Sequence, residues 1–320
     1  MNVFTSTFQS KLNAMLDYRE ARGYKRTTYM RDLIKFDIFC TEHYPNSSEL
    51  TSEIVYSWLD AETSSAHCLA ALSSAVRQFG KYLNAVGETA YVLPEKFATH
   101  KASYLPYNFT DYELTALFAS IDNMPPDKGE PFLTEIVPVL FRLIYTCGLR
   151  PNEGRELLAE NINLNNGEIL ITRTKMNKER IVVMSDDMLA AARKYDLRRK
   201  IFGGDSLYFF PASDGGAFKN VKILAAFNKA WTTATCTPQN PLPHPIRVYD
   251  LRHRFASACL NRWLDNGENL MVMLPYLSVY MGHKSLSETA YYIHILPENL
   301  VKSAAVDWTK FNEMFSEVSL

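Results

Sequence analysis

Apolar residues recur at helical spacing through most of the first hundred positions. Phe8, Leu12, Met15, Leu16 and Tyr18 follow the repeat, which breaks at Gly23. A second helix begins at Thr27-Thr28 and carries Tyr29, Leu33, Phe36, Ile38 and Phe39. Tyr44-Pro45-Asn46-Ser47-Ser48 reads as a turn, after which Thr51-Ser52-Glu53 caps a short helix through Trp58. A fourth helix is expected from Ser65 to Ala85, with Leu69, Leu72, Val76, Phe79 and Leu83 as its apolar stripe and a stop near Gly87. The pattern predicts a compact helical module over residues 1–98, whose aromatic stripe is core rather than a platform for stacked bases.

Residues 99–108 lack periodicity and are the expected linker, leaving 109–320 as a second domain. From Thr110 the pattern is helical again through Phe141–Tyr145. The texture then changes. Asn165-Asn166-Gly167 is a turn, Glu168–Arg173 alternates around Ile169 and Ile171, Lys175–Lys178 is another turn, and Ile181-Val182-Val183 is a short apolar run. That predicts a small hairpin or three-stranded sheet within a helical domain. From about residue 186 the chain is mostly helical, with loops at Gly203-Gly204 and Asp214-Gly215-Gly216. The fold class is therefore mainly α with a small β-sheet: a helical domain followed by an α+β one.

Composition narrows the class. The 320 residues are 47% hydrophobic and 22% charged, an ordinary globular balance that excludes disordered and low-complexity classes. The five cysteines, Cys40, Cys68, Cys147, Cys236 and Cys259, include no CxxC pair, which argues against a disulfide framework or a cysteine zinc site. No HExxH, no Gly-Lys-Ser/Thr phosphate loop, no GxGxxG and no serine nucleophile elbow occurs, so neither a metal nor another cofactor is expected. The first residues carry no signal-peptide pattern, and no apolar run approaches the roughly 18 residues of a membrane span. A soluble cytoplasmic protein is expected. Net charge is −1, yet basic residues crowd two stretches, Arg19–Lys35 and Arg173–Lys200. A solvated helix face explains either stretch alone; two in separate domains make a polyanionic partner more plausible.

Four segments of the second domain carry chemistry. In Cys147-Gly148-Leu149-Arg150-Pro151-Asn152-Glu153, Gly148 permits a tight turn and Pro151 suits a first helical position, placing Arg150 at a helix N-terminus where an anion would be held. The plain alternative is an arginine paired with Glu153. Thr174–Arg180 is the hairpin tip, where a lysine could enter a groove or simply be solvated. In Tyr249-Asp250-Leu251-Arg252-His253, Asp250 is expected as the N-cap and Arg252 in the first turn. The fourth segment, Met281–His294, contains Gly282-His283 and Tyr291-Tyr292.

Together and in this order, these segments resemble the tyrosine recombinase (phage integrase) family. Arg150 matches the first arginine of its GLRxxE box, Lys175 the lysine of its hairpin box, Arg252 the arginine of its DLRH box and His283 the histidine of its GH box. Tyr292, nine residues beyond His283 and followed by Ile293-His294, matches the nucleophile, with Tyr291 falling one place short. One position departs: the histidine usual three residues before the second arginine is replaced by Tyr249, and His253 matches a second common histidine of the box but is not the same position. A phenol can bond a phosphate but is a poor proton shuttle near neutrality, which leaves the general base unassigned.

The resemblance implies a core-binding helical domain at 1–98 and a catalytic domain at 109–320 whose last segment, Asp307–Leu320, docks on a neighbouring protomer. It implies a site-specific recombinase of double-stranded DNA that cleaves through a 3′-phosphotyrosine without metal or ATP, as a homotetramer on two paired sites, in DNA integration or transposition by a mobile genetic element. Arg150 and Arg252 would grip the phosphate, the guanidiniums and His283 would favour the Tyr292 phenolate, and Lys175 would protonate the leaving oxygen. The chain ahead of the helical module is short for an arm-site domain, so a transposon, integron or chromosome-resolution type is expected. The alternatives are a type IB topoisomerase-like relaxing enzyme and a catalytically silent DNA-binding protein.

Overall fold

The computed structural model describes residues 3–62, 65–98, 106–172, 179–234 and 245–295, with residues 67, 294 and 295 described by backbone alone. The chain divides into two compact units, Met1–Tyr104 and Leu105–Leu320. Lys175, Cys236, part of the expected linker and the Asp307–Leu320 segment lie outside the described residues.

The first unit contains α1 (Gln9–Ala21), α2 (Thr27–His43), α3 (Ser52–Glu62) and α4 (Ala66–Ala85). Ser65 caps α4 by accepting from the Cys68 N–H. Helix α4 packs against the other three. Phe8, Phe36, Trp58 and Phe79 meet in the middle, with Phe36 edge-on to Trp58 at 5.2 Å and Phe8 edge-on to Phe79 at 6.0 Å. The aromatic stripe is thus core. Tyr18 and Ile38 are not: they are 50% and 49% exposed. Ile38 follows Phe36 by two residues, which on a helix turns it about 200° away from the buried face.

One buried carboxylate ties the start of the chain to this unit. Asp37 on α2 is 1% exposed and accepts from the backbone N–H and the hydroxyl of both Thr5 and Ser6. A charge at that depth is tolerable only because its oxygens are saturated with donors. The basic stretch is largely paired locally: Arg26 with Asp17, Arg31 with Asp32, Lys35 with Glu62, and Arg19 over the Tyr24 and Tyr29 rings.

The second unit begins with α5 (Asp111–Asp122), started by a capping box between Thr110 and Glu113. The expected continuous helix to Tyr145 is interrupted: a loop over 123–132 separates α5 from α6 (Leu133–Thr146). Then come α7 (Pro151–Arg155), β1 (Glu168–Ile171), β2 (Arg180–Val183), α8 (Asp186–Phe202), α9 (Asn220–Ala234), α10 (Tyr249–Asp265), α11 (Leu270–Met281), α12 (Leu286–Ala290) and a 3-10 turn at Tyr291–Ile295. The sheet has two antiparallel strands among the described residues, Glu168 opposite Val183 through Ile171 opposite Arg180. Only one face is covered: Ile169, Ile171 and Val182 are buried, whereas Ile181 and Val183 are more than half exposed.

The main core gathers α5, α6, α8, α9 and the sheet, with Phe141 edge-on to Phe227 at 5.7 Å. A second cluster unites Leu260 of α10, Leu270, Leu274 and Leu277 of α11, and Tyr292 with Ile293 of the final turn. It is this cluster that brings the end of the described chain back onto α10. No described helix is long and apolar enough to cross a membrane.

Asp37→Ala is expected to lower the unfolding free energy by about 2–3 kcal/mol, because four donors lose a charged acceptor. Urea unfolding of the full chain checks this, and a loss below about 0.5 kcal/mol would show that water replaces the carboxylate.

Candidate active site

Two tight backbone turns shape the site. Helix α6 ends at Thr146, and Gly148 takes a left-handed conformation with φ +62°. A Cβ here would lie 2.5 Å from the Phe255 ring, so this turn requires glycine on two counts. Arg150 is then the N-cap of α7, with Pro151 at the first position. Glu153, at the third, returns to accept from the Arg150 backbone N–H at 2.9 Å and from its guanidinium at 2.7 Å. The plain alternative, an Arg150–Glu153 pair, is therefore present, but it is one part of a larger arrangement.

The second turn ends α11. Gly282 is left-handed with φ +65°; its N–H donates to Val279 O and the His283 N–H to Ser278 O, each at 3.0 Å. These two bonds form a Schellman motif and satisfy two of the terminal carbonyls. The next three carbonyls each accept from an arginine. Arg180 Nε donates to Tyr280 O at 2.8 Å, Arg252 to Met281 O at 2.7 Å and Arg150 to Gly282 O at 2.6 Å. A helix C-terminus carries partial negative charge, so it suits cations. Arg252 also donates to Gly148 O at 2.6 Å, joining the two glycine turns.

Glu153 completes this hub. Arg180 donates to both of its oxygens at 2.7 and 3.0 Å, and Arg252 lies 3.9 Å away. Burial pushes the Glu153 carboxyl up, but the guanidiniums of Arg180 and Arg150 outweigh it and hold it at about 2. Three guanidiniums thus surround one carboxylate and retain a surplus of positive charge. Arg252 is 0% exposed, and its Nε has no hydrogen-bond partner among the described residues. An unpaired buried donor is costly and suits an acceptor that arrives from outside.

Tyr292 stands beside this hub. Its ring is 3% exposed, and its hydroxyl lies 3.1 Å from His253 Nδ1. The His283 ring stacks on it, centroids 5.9 Å apart and nearly parallel at 19°, while His283 Nδ1 is 2.7 Å from the buried Thr289 hydroxyl. Burial raises the Tyr292 phenol above its ordinary value, and Arg252 and Arg150 only partly offset this. The expectation that the guanidiniums leave it more acidic than usual does not hold in this resting site, because desolvation dominates. His253 and His283 are both pushed down to about 3, first by burial and then by Arg252. His283 is therefore neutral and contributes packing and orientation, not the charge expected of it.

Of the expected residues, Arg150, Arg252, His283 and Tyr292 come together, and Tyr249 joins them at the start of α10. Tyr249 packs its ring on His253 at 4.9 Å and lies close to Arg150 and Arg252. Lys175 is outside the described residues. Asp250 is not the N-cap of α10: Val248, two residues earlier, holds that position, and the Asp250 carboxylate accepts from the Arg247 N–H at 2.8 Å. Three participants were not among the expected site residues. Glu153 had a signal, an acidic residue three after a helix start, where a carboxylate turns back on the cap. His253 had a signal in the resemblance, a match to a second common histidine of the DLRH box, but none that assigned it a role. Arg180 had none, since its carboxylate partner is 27 residues away.

The buried histidines make stability depend on acid. Unfolded histidine titrates near 6.5, whereas His253 and His283 sit near 3 when folded, so the unfolded chain binds more protons between these values. Stability is full above about 6.5 and falls as pH decreases through that window; Glu153, held near 2, adds a loss below about 4.5. Melting midpoints measured from pH 7 to 5.5 should fall, and the double change His253→Gln, His283→Gln should flatten that slope. An unchanged slope would mean that neither ring is buried neutral.

Residues 113–299 match the phage integrase family. The putative integrase/recombinase y4rE of Sinorhizobium fredii is 25% identical over 299 residues, 92% of this chain and 93% of that protein. The tyrosine recombinase XerD of Rhizobium meliloti is 27% identical over 304 residues, 90% of each chain. The fold is shared with the XerH site-specific recombinase, solved bound to a palindromic difH substrate in a post-cleavage complex: the TM-score is 0.65 at 20% identity, covering 89% of this chain and 80% of that one. The family match spans more than half the chain and encloses every side chain of the arginine, histidine and tyrosine cluster; this chain belongs to the phage integrase family, the tyrosine recombinases.

Proposed function

We propose that this chain is a site-specific DNA recombinase that breaks and rejoins strands through a phosphotyrosine at Tyr292. The observation that carries the reading is the placing of a tyrosine hydroxyl beside two guanidiniums, those of Arg150 and Arg252, held on consecutive carbonyls. A phosphodiester is an anion whose charge grows at the equatorial oxygens during displacement. Guanidiniums already fixed in place stabilise that charge without reorganising. Their surplus over Glu153 gives the site a net positive field, and Arg252 Nε is a donor in want of an acceptor.

Tyr292 attacks phosphorus, its oxygen–phosphorus bond forming as the bond to the departing DNA oxygen breaks. Conserving the bond energy in the phosphotyrosine lets a second hydroxyl reverse the step, so no nucleotide cofactor is needed. Because Tyr292 is 3% exposed, the Tyr291–Ile295 turn must shift to admit a phosphate. Lys175 follows from the family resemblance as the general acid that protonates the leaving oxygen. The helical unit, Met1–Tyr104, serves in this reading as the core-binding module. The Tn1549 transposon integrase, which shares the fold at a TM-score of 0.60, is solved in complex with a circular intermediate DNA, which supports DNA as the partner. A homotetramer on two paired sites, with Asp307–Leu320 of one protomer docked on the next, completes the proposal. Deleting the chain from Trp308 onward should abolish pairing of two DNA sites while leaving single-site binding; unaffected pairing would remove that element.

A duplex selected from random sequence by the full chain, then nicked beside the scissile phosphate, tests the chemistry. The chain should become covalently attached to it, and Tyr292→Phe should not. No adduct from the unaltered chain would favour a silent DNA-binding protein, and relaxation of supercoiled DNA lacking a second site would favour the topoisomerase reading.

On the same duplex, Arg150→Ala and Arg252→Lys should each slow adduct formation by at least about 10²-fold, the scale of losing one preorganised donor to a developing anion. Binding should persist, because many phosphate contacts remain. Lys175→Ala should be restored by a bridging sulfur in place of the leaving oxygen, which needs no proton to depart. Failure of that rescue would argue against a general acid at this position.

A further inference from the structure

We propose that His253 is the general base of strand cleavage, taking the Tyr292 proton on Nδ1 with Asp250 behind it on the Nε2 side. This rests on Tyr292 being the nucleophile and assigns the one role that the departure at Tyr249 leaves open. The imidazole of His253 is the ring aimed at the phenol: Nδ1 lies 3.1 Å from the Tyr292 hydroxyl. Its other nitrogen faces the fully buried Asp250, whose Oδ1 is 4.0 Å from Nε2. The imidazole thus has the phenol at one nitrogen and the carboxylate nearer the other, and the carboxylate is at a distance that stabilises an imidazolium once it forms.

The other candidates are turned away from this task. His283 meets Tyr292 face to face, and its Nδ1 is engaged with the Thr289 hydroxyl. Tyr249, which stands where the family places a histidine, contacts the His253 ring and is itself a phenol. Position also favours His253. It follows Arg252 directly on α10, so the base and a phosphate-gripping guanidinium are carried by one rigid helix.

The proton state agrees with the geometry. An accepting Nδ1 must be bare, and His253 is neutral in the resting site, pushed down to about 3 by burial, then by Arg252 and Arg247. The groups facing it are Tyr249, Asp250 and Arg252 on its own helix, Arg247 just before it, Tyr292 on the final turn and His283 after α11. A phosphodiester bound to Arg252 offsets the positive field that depresses the ring, so its basicity rises when substrate arrives. Transfer is concerted with attack: the Tyr292 O–H bond breaks, its proton passes to Nδ1, the oxygen's electron pair forms the bond to phosphorus, and the departing oxygen leaves with the pair of the broken bond and takes a proton from Lys175. In rejoining, the imidazolium returns its proton to the tyrosine oxygen as that oxygen leaves.

The test follows covalent-adduct formation by the full chain, in single turnover, on the selected and nicked duplex from pH 6.5 to 9. His253→Gln should slow the reaction by about 10²–10⁴-fold at pH 7, the usual contribution of a positioned base. The ratio of unaltered to variant rate should shrink toward high pH as hydroxide takes over, with duplex binding unchanged. Substituting 3-fluorotyrosine at position 292, whose phenol is more acidic, should recover part of the variant's rate. His253→Asn serves as the second variant, and melting midpoints at pH 8 confirm that each is folded. A rate ratio that stays constant across the pH range, or variants that cleave like the unaltered chain, would overturn the assignment. An adduct formed equally well by Tyr292→Phe would instead overturn the nucleophile on which it rests.

Discussion

Three guanidiniums cannot share a small buried space unless something holds them there. Here one carboxylate and the end of one helix do so. Glu153 pairs with Arg150 and Arg180 and lies near Arg252, and the carbonyls of Tyr280, Met281 and Gly282 take one arginine each. The Schellman closure of α11 is what leaves those three carbonyls available, since it consumes only the two before them. Positive charge is thereby concentrated and fixed without being fully neutralised. Such a field costs stability in the resting protein, and an anion that enters it meets donors already in position.

The same field governs the groups around Tyr292. Burial and Arg252 keep His253 and His283 uncharged, while burial keeps the phenol protonated. The resting site is thus a set of neutral acid and base groups beside a cationic hub. In the proposed reaction a phosphate would change that balance by bringing the missing negative charge, which would link binding to the readiness of the phenol. The exchange of a family histidine for Tyr249 need not remove proton transfer, because a second imidazole one turn further along α10 reaches the phenol directly.

Much of the fold was legible in the pattern of apolar residues. Helices α1, α2 and α4 follow stripes whose members Leu12, Phe36 and Phe79 are fully buried, and the turns at Gly23 and Gly87, both left-handed glycines, follow the ends of α1 and α4. Following the apolar repeat alone was less exact elsewhere. It ran α5 and α6 together although Pro125-Pro126, Gly129 and Pro131 mark the 123–132 loop, and it left the number of strands open, because Ile181-Val182-Val183 is an unbroken apolar run of which only Val182 is buried. The start of α10 slipped by two residues, because an aspartate at the second position of a helix accepts from a backbone N–H ahead of it much as an N-cap would.

Residue order alone marked which side chains are candidates for chemistry, because arginine, lysine, histidine and tyrosine boxes in sequence constrain identity even when they say nothing of distance. It also determined the two turns, since Gly148 and Gly282 occupy backbone conformations that few other residues accept. What only the tertiary structure decided is how those side chains are held and which protons they keep. The pairing of Arg180 with Glu153, the approach of His253 to Tyr292 and the neutrality of His283 join residues 27, 39 and more positions apart. Burial and proximity of charge set these properties. Both are products of packing between distant segments, to which local sequence spacing is blind.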